Sequence, residues 1–586
     1  MINLNISKKY KLLNFKFFYL FDKFLFYFFK GFFPVQFYTY YTLISLLIGS
    51  FFFFFNAIKN FLKNRFLMVL ISLFFIITII YCLWFCFIDL VNKNLNVEFW
   101  VFELVNSQWI ENFFNEKINR FPNAVVLNTT QLNWSWKFCW HYVSLLFAFL
   151  TCYIVFSVIL ISLITIEEKL SIFIGLLFLL TFCLFLVFSA DNLFQFYIGF
   201  ESSMVPMYFM IGIWGSRERK SLASYFFFFY TLIGSMPMLL AILWIDNKWA
   251  NIEITQIQNI VWENYYFFNS WSEASIIFIC FFLGFAVKTP LFPVHLWLPE
   301  AHVEAPTAGS VLLAGLLLKL GGYGFYIVLI LNFIKISLFF QPAIFTLCFF
   351  SAVYIAAVAI AQTDLKKIIA YCSIMHMSIV TAGLFSFHYC GILGAIILMI
   401  GHGFISSGLF FLIGVLYKRY ETREIDYYGG FAKIMPKFSL FLFIFILANI
   451  SFPLTVNFLP EILILVGIVY ASQIYVLLLI PSILLITICT FLFFVRIVFG
   501  EVKNNYFLIY VDITFLEFLI LVVYSFPVFY WGIEFYWIES YIVDEILSLT
   551  KDSYNIFWVH NDINISYKFL YWYLDSEQIA INKVVL

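Results

Sequence analysis

Charge is what this sequence has least of. Among 586 residues, Lys and Arg total 33 and Asp and Glu total 33, so 11% carry charge and the formal net charge is zero. A neutral chain lacks the basic excess that phosphate binding needs, which excludes nucleic acid as a partner. No GxGxxG follows a strand-like run and no Walker loop is present, so nothing here holds a dinucleotide or ATP. The ten cysteines include no CxxC and no Cys/His group at metal-ligand spacing. Nearly all lie inside apolar runs and read as small core hydrophobes, so metal and redox cofactors are expected on other chains. Arginine is missing before position 65 and serine is rare there, against an organellar transit peptide, so the chain is expected to start as written.

What fills the space is apolar. The chain is 64% hydrophobic, with 82 Phe and 36 Tyr, and its mean hydropathy is +0.97. Values this high define an all-α polytopic membrane protein, since only helices and closed barrels satisfy their backbones in lipid. Taking about 20 apolar residues per crossing, we expect fourteen spans near 38–57, 66–90, 138–164, 170–189, 192–214, 222–244, 275–298, 307–334, 342–361, 367–387, 391–416, 438–470, 473–499 and 513–532. The third and eighth are expected to be overlong and tilted. Residues 1–37 form an N-terminal extension in which Lys9, Lys16, Lys23 and Lys30 recur along one helical face. That pattern suits either an interfacial helix or an unstructured extension. A polar insert at 92–137, a shorter one at 246–273 and a tail at 533–586 complete the extramembrane pieces.

Loop parity orients the spans. The loops holding Lys59, Lys63 and Arg65, then Arg217, Arg219 and Lys220, then Lys366 and Lys367, then Lys418, Arg419 and Arg423 fall on one face. By the positive-inside rule that face is the matrix or cytoplasmic one.

Two spans must break. In the seventh, Pro290, Pro293 and Pro299 follow Lys288, and each proline removes a donor and crowds the preceding turn. In the twelfth, Pro453 and Pro460 bracket the break with Glu461 just beyond. The breaks lie five spans apart, an odd offset that forces opposite orientation, so 170–334 and 335–500 are expected to form two inverted five-helix repeats, followed by a last crossing within 501–532.

The few charges inside spans are the candidates for chemistry, because a charge at mid-bilayer costs at least ~2.5 kcal/mol. Glu201 lies ten residues into the fifth span, and Lys288 is its natural partner. Such a pair can gate, since neutralising either member changes the energy of a proton elsewhere. Lys319 sits mid-way along the eighth span, taken to be unbroken, beside Ala314, Gly315, Gly321, Gly322 and Gly324. A buried lysine can take up and release protons. His376, His402 and Glu461 continue the series, and two histidines between a buried lysine and a buried glutamate suit a proton relay. Asp364, Asp512, Glu517 and Arg496 stand near span ends and read as interfacial.

The stretches GFESSMVPMYFMIGIWG, FAVKTPLFPVHLWLPEAHVEAPTAGSVLLAGLLLKLGGYG, TDLKKIIAYCSIMHMS and ISFPLTVNFLPEILILVG closely resemble the subunit 4 family of respiratory NADH:ubiquinone oxidoreductase, complex I. The resemblance covers about residues 180–530. It implies fourteen spans with broken helices seven and twelve, a Glu201/Lys288 gating pair, Lys319 as central proton carrier, and His376 and His402 on the connecting polar axis. Glu461 matches the exit position, where the sister subunits usually carry lysine. The resemblance also implies that FMN, iron-sulfur clusters and ubiquinone belong to partner subunits, with none on this chain. The expected partners are neighbouring antiporter-like subunits, accessory subunits and lipid in the mitochondrial inner membrane. A subunit of a multi-subunit cation/proton antiporter shares these features and is the main rival. A purely structural subunit is the other, and the retained glutamate and lysines speak against it.

Overall fold

A computed structural model describes residues 36–59, 64–92, 138–249, 254, 271–502, 511–534 and 542. The N-terminal extension, most of the 92–137 insert and nearly all of the tail lie outside the described residues. Regular structure among the described residues is helical, apart from isolated bridges between Phe138 and Ala190 and between Asp364 and Glu424.

The helices in order are α1 (Gln36–Lys59), α2 (Arg65–Asn92), α3 (Tyr142–Thr165), α4 (Leu170–Phe188), α5 (Leu193–Ser202), α6 (Met204–Trp214), α7 (Lys220–Trp249), α8 (Trp271–Lys288), α9 (Trp297–Glu304), α10 (Thr307–Ile330), α11 (Ile334–Ile360), α12 (Leu365–Leu384), α13 (Tyr389–Tyr420), α14 (Pro436–Asn449), α15 (Phe458–Ala471), α16 (Gln473–Val498) and α17 (Phe515–Ile533). Eleven helical spans among the described residues are long and apolar enough to cross a membrane, against the fourteen expected. The remaining three stretches hold the apolar run Tyr41–Ala57 and the two broken helices, α8–α9 and α14–α15. The third and eighth spans are 24 residues each, shorter than expected, because residues 138–141 run non-helically into α3 and α10 stops at Ile330.

Burial sorts the bundle. α10 and α13 are buried throughout their apolar windows, whereas α7, α16 and α17 bury about a third of theirs and leave the rest on the outside of the bundle. A helix apolar on every side can occupy either position, so the small residues decide. A Cβ at Gly321 would stand 2.9 Å from Thr289 N, and one at Gly315 would stand 2.8 Å from Ser407 Oγ. Their bare backbones let α10 lie directly against the first break on one side and against α13 on the other.

Both breaks follow their prolines. α8 ends at Lys288, Pro290 and Pro293 occupy the irregular stretch, and α9 begins at Trp297 with Pro299 in its first turn. α14 ends at Asn449, Pro453 lies in the irregular stretch, and α15 begins at Phe458 with Pro460 in its first turn. A proline within the first turn costs no hydrogen bond, because those amides have no partner in the helix.

The eighth span differs from expectation. α10 is continuous but not uniformly α-helical: Leu313–Leu317 and Phe325–Ile330 are π-helical, and the α-helical segment Leu318–Gly324 between them carries Lys319. π turns widen a helix locally and commonly occur at functional positions.

Candidate functional site

The site runs through the wholly buried helices. Lys319 is fully buried; its Nζ donates to the carbonyl of Ala314 and meets His402 Nδ1 of α13 at 2.9 Å. The His402 ring lies 5.5 Å, centroid to centroid, from that of His376 on α12. His376 Nδ1 in turn approaches Glu461 Oε1 of α15 to 3.2 Å. Four titratable groups from four helices are therefore neighbours in the order Lys319, His402, His376, Glu461, ending at the second break, although only the first pair is hydrogen-bonded and both His376 ring nitrogens lack a hydrogen-bond partner.

Chemically the line is suited to moving protons. With Lys319 charged, His402 Nδ1 accepts its hydrogen bond, and transfer along that 2.9 Å contact exchanges an ammonium for an imidazolium. At the other end a charged His376 would pair with Glu461, while a neutral one leaves the carboxylate unbalanced.

Glu201 and Lys288, read together as a gating pair, lie within electrostatic range of each other without direct contact. Lys288, 2% exposed, donates from Nζ to the Phe200 carbonyl at 3.0 Å and to Ser203 Oγ at 3.2 Å, with the Phe200 ring 4.3 Å away. It forms no ion pair with Glu201, whose carboxylate oxygens are buried without a hydrogen-bond partner. The reason lies in the fifth span, which is interrupted at Ser203 between α5 and α6. The interruption frees the Phe200 carbonyl, and that acceptor captures the ammonium. Glu201 remains within electrostatic range, one residue away along the chain.

Several charges assigned to loops or interfaces prove to be buried. Lys366 is 1% exposed and donates to the Ala305 carbonyl at 2.7 Å and Ser310 Oγ at 3.2 Å, at the junction of α9 and α10. Arg423 is equally buried and donates to the Val303 carbonyl and Ser216 Oγ. Burial pushes its guanidinium below its ordinary pKa, offset in part by Tyr417, Asp364 and Glu304, yet arginine stays charged in proteins. Glu517 is likewise buried and pairs with Arg419 at 2.5 Å, whereas Asp364 and Asp512 cap helix N-termini.

Parity placed Arg217, Arg219 and Lys367 on one face, and the three meet in one cavity of about 760 Å³, lined also by Glu300, Glu304 and Asp364. Glu300 pairs with Lys367 at 2.9 Å across its wall. Sequence reasoning passed over Glu304, which lines this cavity, and His302 on the same helix, both buried. The signal was in LPEAHVEAPT, where ionisable residues recur just after the break. Among the described residues no three His, Cys, Asp or Glu side chains converge as metal ligands.

A bundle with two proline-broken helices around a buried series of lysine, histidines and glutamate has the architecture of an antiporter-like membrane subunit. Comparison with known proteins agrees. Residues 190–488 match the family described as NADH:quinone oxidoreductase/Mrp antiporter, transmembrane. NADH-ubiquinone oxidoreductase chain 4 of Acanthamoeba castellanii is 44% identical over 419 residues, covering 70% of this chain and 82% of the relative. The protein of the same name from Chondrus crispus is 44% identical over 393 residues, covering 67% and 78%. In fold, the chain matches a subunit of respiratory complex I from Thermus thermophilus with bound NADH, with a TM-score of 0.69, 24% identity, and 86% and 99% of the two chains covered. It also matches a chain of the Mrp complex from Dietzia sp., with a TM-score of 0.71, 15% identity, and 88% and 96% covered. The chain belongs to the NADH:quinone oxidoreductase/Mrp antiporter family.

Proposed function

We infer that the chain is a core, multi-pass membrane subunit of the proton-pumping NADH:ubiquinone oxidoreductase of the mitochondrial inner membrane, the chain 4 type. Relatives of that name at 42–44% identity over two thirds or more of both chains support this reading over a subunit of a multi-subunit cation/proton antiporter. Electron transfer through FMN, iron-sulfur clusters and ubiquinone belongs to partner subunits, and this chain converts the energy released there into proton movement. Residues 170–334 and 335–500 serve as the two inverted repeats, each contributing one broken helix.

The observation that carries the mechanism is the succession of buried titratable groups from Lys319 to Glu461. Glu201 and Lys288 act as the gate: protonating Glu201 or deprotonating Lys288 alters the field at Lys319 and decides whether the proton stays there or passes to His402. The magnitudes suffice. Moving one charge across 100 mV costs about 2.3 kcal/mol, and a two-unit pKa change in one buried group is worth about 2.7 kcal/mol.

The first test of identity is gentle solubilisation and separation on a native gel. Comigration of this chain with NADH-oxidising activity is expected. Migration in a smaller assembly without that activity would support an antiporter driven by an ion gradient instead.

A further inference from the structure

Backbone strain is concentrated at the second break. Its irregular stretch holds Ser451 at φ 61° and Leu454 at φ 72°, whereas no residue in 289–296, the irregular stretch of the first break, has positive φ. A bulky side chain in the left-handed region is strained, and such strain persists only where the surroundings impose it. The Leu454 side chain is 61% exposed, so its own packing does not supply the constraint. The backbone contacts of the stretch lead instead to α17, the last helix.

Val456 donates its amide to the Val528 carbonyl of α17 at 3.0 Å. Gly532 lies one turn further along α17, and a Cβ there would stand 2.8 Å from the carbonyl carbons of Leu454 and Thr455 and closer still to the Leu454 oxygen. These are backbone atoms, so no side chain can swing aside to make room. α17 is itself pinned. Pro527 has no amide to offer the Val523 carbonyl four residues back, and that carbonyl accepts from the Tyr153 hydroxyl of α3 instead. The next residue, Tyr524, shares a hydrogen bond with Ser157 of α3, and Glu517 at the start of α17 pairs with Arg419. Trp531 packs edge-on against Phe404 of α13 at 5.2 Å, two residues from His402. On the other side of the held stretch, Asn457 is wholly buried and lies against Gly401, next to His402. Its carbonyl accepts from the Glu461 amide at 3.1 Å, so a shift of the 454–456 backbone reaches Glu461 one turn later.

We propose that α17 latches the second break, with Gly532 and Val528 as positioning residues that set Glu461 against His376. The strain at Leu454 is what the latch holds: with α17 displaced, the break relaxes and the 3.2 Å approach of His376 to Glu461 opens. Gly532 and Val528 carry no titratable side chain, so they act by position alone. The proposal rests on Glu461 taking part in proton movement.

The test uses the complex in native membranes and a pair of substitutions. Gly532→Ala drives a Cβ into the Leu454 carbonyl, so quinone-linked coupled turnover should fall at least about fivefold. NADH oxidation with a hydrophilic artificial acceptor, which needs only the partner subunits, should stay within about twofold of wild type. Leu454→Gly opens backbone angles closed to leucine, which lets the carbonyl turn from the new Cβ while the Val456 amide keeps its bond. The double variant, Leu454→Gly with Gly532→Ala, should therefore turn over at least about threefold faster than Gly532→Ala alone. If Gly532→Ala does not assemble, recovery of assembly in the double variant is the same readout. A merely structural role for α17 predicts the opposite, two defects that add. Wild-type turnover in Gly532→Ala, or a double variant no better than it, overturns the proposal. Glu461→Gln in the same membranes tests the underlying reading separately: wild-type turnover there removes Glu461 from proton movement, whereas rescue between positions 454 and 532 reports on the latch alone.

Discussion

The two helix breaks are built from nearly the same words and put to different uses. Phe292-Pro293 leads to Leu298-Pro299-Glu300, and Phe452-Pro453 leads to Leu459-Pro460-Glu461. In both, the glutamate stands in the first turn of the resumed helix and faces a base on α12. Glu300 meets Lys367 at 2.9 Å, with side chains 39% and 29% exposed, whereas Glu461 meets His376 at 3.2 Å, with 9% and 2% exposed. The two bases are nine residues apart on one helix, about 13 Å. The difference is therefore one of depth and of base. A pair open to water is worth about 0–1 kcal/mol and is screened by salt, but a buried carboxylate beside an imidazole, with no water to screen it, ties its charge to that of its neighbour. The same local geometry yields a half-exposed rim contact at one break and a buried contact at the other, the one to which the proposed mechanism gives the proton-handling role.

Substitutions at the two breaks should separate these roles. The largest effect is expected for Glu461→Gln, which keeps the shape and removes the charge: coupled quinone-linked turnover should drop by about 10²-fold while a native gel shows intact assembly. Next comes His376→Phe, where interruption in the middle of the line should lower turnover about tenfold or more, read by NADH-driven proton uptake in closed vesicles. The smallest belongs to Glu300→Gln, which should change turnover less than twofold and stability by no more than about 1 kcal/mol, measured by thermal inactivation of the complex. Equal effects of the two glutamate substitutions would erase the distinction between the breaks.

Much of this was legible from residue types. Prolines 290, 293, 453 and 460 marked both breaks because their ring chemistry acts locally. Lys319, His376, His402 and Glu461 stood out because ionisable residues inside apolar spans are costly. What escaped depended on direction and depth. No apolar pattern distinguishes a π turn from an α turn, so α10 read as uniform. Loop parity counts lysines and arginines without knowing whether their side chains turn inward, so Lys366 and Arg423 passed for surface charges. Lys288 was given to Glu201 on charge alone, whereas the interruption at Ser203 offers it the Phe200 carbonyl. His302 was overlooked beside two lysines that drew the eye first.

The central claim is that Lys319 holds the proton that moves. The measurement that addresses it most directly is the number of protons moved per NADH oxidised in closed vesicles containing assembled Lys319→Ala enzyme. Loss of most coupled turnover, with artificial-acceptor activity retained, is the expected result. A wild-type proton-to-electron ratio at wild-type turnover would contradict it.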